Sequence, residues 1–240
     1  MEYFLKILIL SFCYPPDLSA GSFRVASLVK ALEDLDDPHL EVDVITTQPN
    51  RYAGVAGPVD TFEDQGWLRI RRITLPPHRS GMKDQAYAFA SFVKGVAALT
   101  RSNNWDLVFA TSSRLMTAAL GAQLAKRLRV PLYLDIRDLF TDTMEDVLGS
   151  SRARYLLPVF NLIEKRTFQA AARINVVSQG FLDHIAKVTL SEKCVVFTNG
   201  IDDLILQANF ARRPTQQRTA LLHRGLLEAM DKIWCLYCKW

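Results

Sequence analysis

The sequence of 240 residues contains only four cysteines, and none of its hydrophobic runs is long. Four unevenly spaced cysteines are too few for a disulfide framework, which favours a reducing compartment. No run approaches the roughly 18 uncharged apolar residues of a membrane-spanning helix. The N-terminal run also differs from a signal peptide, because Glu2 is acidic and Lys6 interrupts the apolar residues. These absences exclude a disulfide-rich secreted scaffold, and we expect a protein of the cytoplasm.

Glycine-rich phosphate-binding motifs and clustered metal ligands are missing as well. The sequence has no Gly-x-Gly-x-x-Gly and no Gly-x-x-x-x-Gly-Lys-Ser/Thr, which argues against dinucleotide dehydrogenases and P-loop phosphotransferases. The pair Cys235 and Cys238 has no second pair or neighbouring histidines, and we therefore predict no metal site. Arg69, Arg71 and Arg72 lie on a predicted strand without an aromatic platform. We interpret them as a solvated face and predict no nucleic-acid partner.

A large charge excess is absent from most of the chain. The net charge is +4, and residues 204–240 alone carry six basic and two acidic side chains. Residues 1–203 are therefore balanced, so the net charge does not indicate an anionic partner for them. We predict one folded domain over residues 1–203, followed by a linker and an aberrant or truncated tail over residues 204–240.

The sequence does contain a regular alternation of strand and helix patterns. Short apolar or alternating runs typical of strands occur at 4–12, 40–46, 67–75, 106–110, 131–136, 174–178 and 194–198. Helical repeats occur at 25–35, 84–100, 115–128, 151–172 and 180–187, and Pro158 is expected to kink the fourth. Residues 48–66 are predicted as a loop. The alternation predicts an α/β fold with a doubly wound, Rossmann-like parallel sheet.

The loop after the first predicted strand is a candidate binding segment, because sheets of this class bind ligands beyond the carboxyl ends of their strands. The loop runs from Pro15 to Arg24 and opens a helix. Gly21 permits close approach of the backbone, and the amides at the helix start, together with Arg24, suit an anion or sugar hydroxyls. The alternative is that Gly21 is an ordinary turn glycine.

The fifth predicted strand ends in the sequence Asp135-Ile-Arg137-Asp138. In an extended chain Asp135 and Arg137 share one side, and Asp138 lies at the turn. A carboxylate here can accept hydrogen bonds from a sugar or take a proton from an acceptor hydroxyl. The alternative is an Arg–Asp pair with Asp138 as a helix cap. The last predicted strand ends in Asn199 and Gly200, a common turn dipeptide that alone indicates no chemistry.

Four groups of residues between positions 5 and 203 occur in a recognisable order. They are Ile7–Leu10 with Tyr14-Pro-Pro and Gly21-Ser-Phe-Arg24-Val; Asp106-Leu-Val-Phe-Ala-Thr-Ser with Val130–Phe140; Glu164-Lys-Arg with Ala171–Phe181; and Phe197-Thr-Asn-Gly-Ile-Asp202. Together they resemble the N-terminal domain of GT-B-fold glycosyltransferases of family 4. The sequence Arg-Asp-Leu-Phe at 137–140 is most similar to the branch that builds bacterial surface polysaccharide.

This resemblance implies transfer of a sugar, with retention, from a nucleotide-sugar donor to a cell-surface polysaccharide or lipid-linked acceptor. It implies that the loop of Gly21 borders the donor phosphates, that Asp138 is the catalytic residue facing the acceptor hydroxyl, and that the 199–202 turn braces the interdomain hinge. The predicted substrate-binding residues are Gly21, Ser22, Arg24, Asp135, Arg137, Asn199, Gly200 and Asp202. The donor is a substrate, and no cofactor is predicted.

The family's second domain, which grips the nucleotide diphosphate, is not recognisable after Gly225. We therefore expect an incomplete, inactive half, in peripheral contact with the inner membrane and with a C-terminal-half partner. Two alternatives remain open. One is a non-catalytic interaction module that pairs with a separate C-terminal half. The other is a non-hydrolysing nucleotide-sugar 2-epimerase, which shares the fold.

Overall fold

The first strand of the chain, Leu5–Leu10, lies inside the parallel sheet of the computed structural model. The structure describes residues 4–49, 59–76, 82–112, 115–139 and 155–198. The chain divides into a main unit of residues 1–75 and 91–198 and a second unit of residues 76–90 and 199–240. Residues 76 and 82–90 are the described part of the second unit. The predicted domain boundary at residue 203 stays a prediction.

The described residues form eight strands and five α-helices, numbered in chain order. The strands are β1 Leu5–Leu10, β2 Leu40–Thr47, β3 Phe62–Asp64, β4 Leu68–Ile73, β5 Leu107–Thr111, β6 Leu132–Ile136, β7 Arg173–Val176 and β8 Cys194–Val196. The helices are α1 Ala20–Glu33, α2 Met82–Leu99, α3 Leu115–Leu128, α4 Leu157–Ala170 and α5 Gly180–Ala186. Every predicted strand and helix is present, and their ends differ from the predicted ones by a few residues.

The order of the strands identifies the place where a ligand would bind. The order is β3-β4-β2-β1-β5-β6-β7-β8, and only β3 runs antiparallel to its neighbour. From β1 the chain moves outward in one direction through β2 and β4, and in the other through β5 to β8. The order reverses between β1 and β5, which is the switch point where sheets of this class bind ligands. The predicted α/β fold with a doubly wound, Rossmann-like parallel sheet is confirmed.

Helices pack on both faces of the sheet, because its central strands are apolar on both sides. On one face, Val25 and Val29 of α1 join the buried cluster that contains Ile7. On the other face, Gly121 of α3 lies over Ala110 of β5. A Cβ atom at position 121 would lie 2.5 Å from the Cβ atom of Ala110, so this close approach requires glycine.

Helix α4 begins at Leu157, later than the sequence pattern predicts. Pro158 lies in its first turn, where a backbone N–H would have no intrahelical acceptor, so the proline breaks no hydrogen bond. The predicted kink at Pro158 is therefore wrong. The predicted start at residue 151 lies outside the described residues.

The arginines of β4 are less exposed than the solvated face that the sequence predicted. Arg72 is buried, forms an ion pair with Glu63 of β3, and donates to the carbonyl oxygen of Pro15 at 2.9 Å. Arg69 and Arg71 are only partly exposed and form ion pairs with carboxylates of β2. The interpretation as a solvated face is wrong, because β3 lies within the predicted loop at 48–66 and supplies an acid beside β4.

Candidate functional site

The candidate site lies at the carboxyl edge of the sheet, beside the switch point between β1 and β5. Three segments meet this edge: the loop from β1 to α1, Ser112 after β5, and Arg137 with Asp138 after β6. The segments are tied together, because the backbone N–H of Arg137 donates to the hydroxyl of Ser112 at 3.2 Å. The backbone N–H of Ser112 in turn donates to the carbonyl oxygen of Asp135 at 2.8 Å.

Arg24 and Asp135, both predicted as substrate contacts, bind each other. The guanidinium Nε donates to Oδ2 of Asp135 and the Nη2 donates to Oδ1, each at 2.8 Å. This two-point geometry is the strong form of an arginine–carboxylate pair. Asp135 is 2% exposed, so the pair lies largely out of water. The contacts make Arg24 and Asp135 positioning residues of the site, and their contact with a substrate stays a prediction.

Asn175 of β7 extends this pair toward β8. Its side-chain amide donates to Oδ1 of Asp135 at 2.6 Å, and its side-chain oxygen accepts from the backbone N–H of Phe197 at 2.8 Å. Arg24 also donates to the carbonyl oxygens of Phe197 and Thr198, at 3.1 and 3.3 Å. Four elements, α1, β6, β7 and the segment that leaves β8, are thereby fixed relative to one another. We name Arg24, Asp135 and Asn175 the polar clamp.

The start of α1 offers hydrogen-bond donors at the same edge. Ser19 is the N-cap, and its Oγ accepts from the backbone N–H of Ser22 at 3.1 Å. The backbone N–H groups of Ala20 and Gly21 have no acceptor among the described residues. The hydroxyl of Ser22 is buried and has no hydrogen-bond partner there either. Free amides at a helix start attract anions, because the helix dipole adds to their partial positive charge.

Arg137 contributes a cation with unused donors. Its Nε and Nη1 atoms are buried and have no hydrogen-bond partner in the part of the chain that the structure describes. Burial lowers the pKa of Arg137, while the carboxylate of Asp135 opposes that shift. An arginine remains charged in either case. A buried guanidinium with unmet donors is costly unless a partner arrives, so its surroundings favour an anionic or hydroxyl-bearing ligand.

Asp138 presents a carboxyl group beside that cation. The residue is exposed, yet desolvation by the surrounding chain raises its pKa, and the positive charge of Arg137 opposes part of the rise. A carboxyl group with a raised pKa is a better proton acceptor than an ordinary aspartate. Its predicted role as the catalytic residue stays a prediction, and the same holds for its predicted role as a helix cap, since residues 140–154 are not described.

Three predicted site residues, Asn199, Gly200 and Asp202, lie outside the described residues. Within the described ranges, no three histidine, cysteine, aspartate or glutamate side chains are grouped to hold a metal ion. The helices that the structure describes include none that is long and apolar enough to cross a membrane. The predictions on cofactor and metal stay predictions.

Asn175 was missed by the sequence analysis, and Ser112, although it follows a predicted strand, was not among the predicted site residues. The signal for Asn175 is its place inside an apolar run: an amide between buried strand residues needs partners and so points to a polar network. Ser112 follows a strand in the same way as Arg137 does. It lacks a charge, and nothing in the sequence singles it out.

The fold and the site together define a Rossmann-like α/β protein with a polar carboxyl edge. The chain belongs to the glycosyl transferase 4-like domain family, whose family model matches residues 21–200. Among curated proteins, none matches.

Several solved structures are similar to the chain in fold. The Anabaena protein HepE in complex with UDP is 15% identical with a TM-score of 0.49, and the match covers 92% of this chain and 50% of that protein. Arabidopsis thaliana UGT89C1 complexed with UDP is 13% identical with a TM-score of 0.49, and the match covers 91% and 54%. Phytolacca americana UGT2, complexed with UDP-2fluoro-glucose and pterostilbene, is 14% identical with a TM-score of 0.43, covering 84% and 54%. The chain thus spans only 50–54% of the length of these proteins.

Proposed function

We propose that the chain is the acceptor-side half of a retaining glycosyltransferase that transfers a sugar from a nucleotide-sugar to a surface-polysaccharide or lipid-linked acceptor. The observation that carries the proposal is the family match over residues 21–200, which runs from the first turn of α1 through β8. The chemistry of that edge agrees with it. A nucleotide-sugar carries two phosphates, and the edge offers free helix-start amides and a cation.

In this proposal the first turn of α1, which contains Gly21 and Ser22, borders the donor diphosphate. The backbone N–H groups of Ala20 and Gly21 donate to no acceptor among the described residues, and they suit a doubly negative group. Arg137 adds a full positive charge nearby. When the glycosidic bond to the nucleoside diphosphate breaks, negative charge grows on the leaving phosphate, and such donors stabilise it.

Asp138 faces the acceptor in this proposal. An acceptor hydroxyl must lose its proton as the new glycosidic bond forms, and a carboxylate within hydrogen-bond reach takes that proton. The raised pKa of Asp138 suits the role, because the carboxylate then binds the proton more firmly. The polar clamp, with its buried Asp135, holds α1 and β6 in place and makes no chemical step itself.

The isolated chain is inactive in this proposal, because a second half must close over the donor. Three large apolar side chains at the carboxyl edge, Leu18, Phe23 and Phe197, are at least half exposed. They flank the polar clamp in the sequence, and exposed apolar residues around a polar cleft are typical of a surface that a partner covers. The same observation favours the alternative of a non-catalytic module that pairs with a separate C-terminal half.

The test combines the chain with the polypeptide encoded by the DNA that follows the codon of Trp240, in whichever frame holds a second Rossmann-like domain. We expect a complex of the two that releases nucleoside diphosphate from a nucleotide-sugar in the presence of acceptor. In calorimetric titrations, the chain alone should bind nucleotide-sugars with a Kd weaker than about 1 mM. Micromolar binding by the chain alone would contradict the half-enzyme proposal.

A matched pair of variants locates the site. Arg137→Gln should lower the rate of the complex by at least about tenfold. Arg101→Gln, which changes an exposed arginine elsewhere on the main unit, should leave the rate unchanged. Equal rates for the two variants would show that Arg137 does not contribute to the site. Unrelated sequence after the chain, together with no partner in a pull-down, would overturn the glycosyltransferase proposal itself.

A further inference from the structure

A row of buried polar side chains crosses the sheet near its carboxyl edge, on the face that α1 covers. The backbone N–H of Ser11 donates to the carbonyl oxygen of Ile45 at 3.1 Å, so Ser11 extends the pairing of β1 with β2 by one residue. The other members lie opposite one another on neighbouring strands, and none of the set is more than 6% exposed. We name these residues the polar row: Arg72 of β4, Thr46 of β2, Ser11 after β1, Thr111 of β5, Asp135 of β6 and Asn175 of β7.

The hydroxyl of Ser22, in the first turn of α1, is directed toward this row. Ser22, Val25 and Val29 are spaced by three and four residues, so they lie along one side of the helix. Val25 and Val29 pack in the buried cluster that contains Val44 of β2. Thr46 follows Val44 by two residues, which places it on the same face and one step nearer to the edge where α1 begins. The first turn of α1 therefore lies over Thr46 and its neighbours in the row.

The side chain of Arg72 reaches the same place from the other side. Strand β2 lies between β4 and β1 in the sheet. The Nη2 of Arg72 donates to the carbonyl oxygen of Pro15, in the loop after β1, at 2.9 Å. The side chain thus extends from β4 toward β1 and passes Thr46, which lies opposite Arg72 on β2.

Three polar atoms at this place have no hydrogen-bond partner among the described residues. They are Oγ of Ser22, Oγ1 of Thr46 and Nε of Arg72. Ser22 and Thr46 are 0% exposed. Buried polar atoms without a partner are rare in folded proteins, because each has given up its hydrogen bonds to bulk water. We propose that a water molecule is bound inside the protein between these three atoms, beneath the first turn of α1.

The charges around the three atoms favour a neutral ligand over an anion. The positive charge of Arg72 is already matched by its ion pair with Glu63, and its Nη1 also donates to the carbonyl oxygen of Asp60 at 3.2 Å. A bound chloride ion would add a buried negative charge without a counterion of its own, which is costly. A water molecule accepts a hydrogen bond from Nε and exchanges hydrogen bonds with the two hydroxyl groups. That makes about three bonds, the usual number for an internal water.

The internal water supports the candidate site from beneath. The first turn of α1 carries the free backbone N–H groups of Ala20 and Gly21, and a hydrogen bond from the water to Ser22 fixes the height of this turn above the sheet. Apolar contacts begin only one turn later, at Val25. The inference concerns a water site of the chain itself and does not depend on the proposed glycosyl transfer.

The test is NMR spectroscopy of the full chain, in which a long-lived internal water gives Overhauser contacts to nearby protein protons. We expect such contacts at the methyl group of Thr46 and at the Nε–H of Arg72. Thr46→Val keeps the shape of the side chain and removes the hydroxyl, so it should abolish the contact at Arg72. It should also lower the Tm by about 2–4 °C, because the water loses a partner, whereas removal of an unhydrated and unpaired hydroxyl would raise the Tm.

Thr47→Val is the matched control, because Thr47 is the next residue of β2 and its hydroxyl donates to the carbonyl oxygen of Phe12 at 2.8 Å. The substitution removes a hydroxyl from the opposite face of the strand and should leave both water contacts unchanged.

Absence of the water contacts in the unaltered, folded chain would overturn the proposal. A Tm of Thr46→Val at or above that of the unaltered chain would do the same. So would a saturable shift of the Thr46 signals with added chloride at constant ionic strength, since an anion would then occupy the place. Sugar transfer enters none of these measurements, so their failure leaves the proposed function standing.

Discussion

The guanidinium of Arg24 and the carboxylate of Asp135 form two parallel hydrogen bonds of 2.8 Å across a separation of 111 residues in the chain. The bonds connect the first turns of α1 to the end of β6 at the carboxyl edge of the sheet. Asn175 completes the connection by donating to the same carboxylate. The geometry of the candidate site thus depends on a largely buried charge pair. Among the described residues, the partners of this pair are other protein atoms.

Replacement of Arg24 by alanine should cost about 3–5 kcal/mol in the free energy of unfolding. The loss is large because Asp135 would remain buried with its charge uncompensated. In Arg24→Ala with Asp135→Ala the loss should be smaller than the sum of the two single losses, since neither partner is left alone. Urea unfolding of the four proteins measures this. Additive losses would show that the two side chains are not coupled.

The stability of an Asp138→Asn variant should depend on pH relative to the unaltered protein. Desolvation raises the pKa of Asp138 in the folded state, so the folded chain holds this proton more tightly than the unfolded chain does. The stabilising contribution of the protonated group is present below the unfolded pKa and is lost as the pH rises through the folded pKa. An asparagine side chain does not titrate in this range, so the stability of the variant does not fall for this reason. The variant should therefore become the more stable of the two as pH rises through that window, while in acid they should not differ.

The direct measurement is a titration of the Asp138 carboxyl by NMR, with unfolding experiments at several pH values beside it. A pKa at or below the ordinary value of an aspartate would contradict the expected direction. It would also weaken the proposed role of Asp138 as a proton acceptor.

Gly121→Ala should destabilise the protein by about 1–3 kcal/mol. The new methyl carbon would lie 2.5 Å from the Cβ atom of Ala110, and neither backbone can move away without disturbing α3 or β5. Gly180→Ala is the matched control, because the nearest atom to a Cβ there is 3.9 Å away. That variant should be neutral or slightly more stable, since alanine favours the helix more than glycine does. Equal losses at the two positions would contradict the packing argument.

Trp105→Phe should cost about 1–3 kcal/mol by leaving a buried acceptor without one of its donors. The indole Nε1 of Trp105 donates to Oδ2 of Asp43 at 2.8 Å, and both residues are buried. The control is Trp67→Phe, because Trp67 is partly buried and packs against the apolar cluster that contains Ile7. Denaturation of the two variants compares them. A larger loss for Trp67→Phe would show that ring packing, rather than the hydrogen bond, dominates at position 105.

The sequence predicted the fold well because its signals are local. The repeat of apolar residues at 115–128 predicted the bounds of α3 as they are found, and the buried runs predicted the parallel strands. Strand β3 was missed because three residues in a polar segment are too few to show an alternation of apolar and polar side chains. It exists because β4 provides an edge to pair with.

The sequence predicted which residues lie at the candidate site better than it predicted which of them contact one another. Arg24 and Asp135 were both singled out, but as ligand contacts, because nothing in the local sequence joins positions so far apart. Arg72 was placed on a solvated face, whereas its buried side chain needs Glu63 from β3. In each case the partner of the charged residue lies on another helix or strand. The environment of the charge therefore depends on a tertiary contact, which the local sequence pattern does not predict.

The central position of β1 bears on how the chain is assembled during synthesis. Of the strands that the structure describes, β1 is synthesised before the others, and β2 is available soon afterwards to pair with one of its edges. The other edge must wait for β5, and the backbone N–H of Lys6 reaches its acceptor Asp106 only across 100 residues. In that interval the nascent chain presents an unpaired apolar strand to its neighbours on the same messenger, which is a known route to aggregation. Slow elongation through residues 48–106 would lengthen this vulnerable period, and chaperone protection would matter most within it.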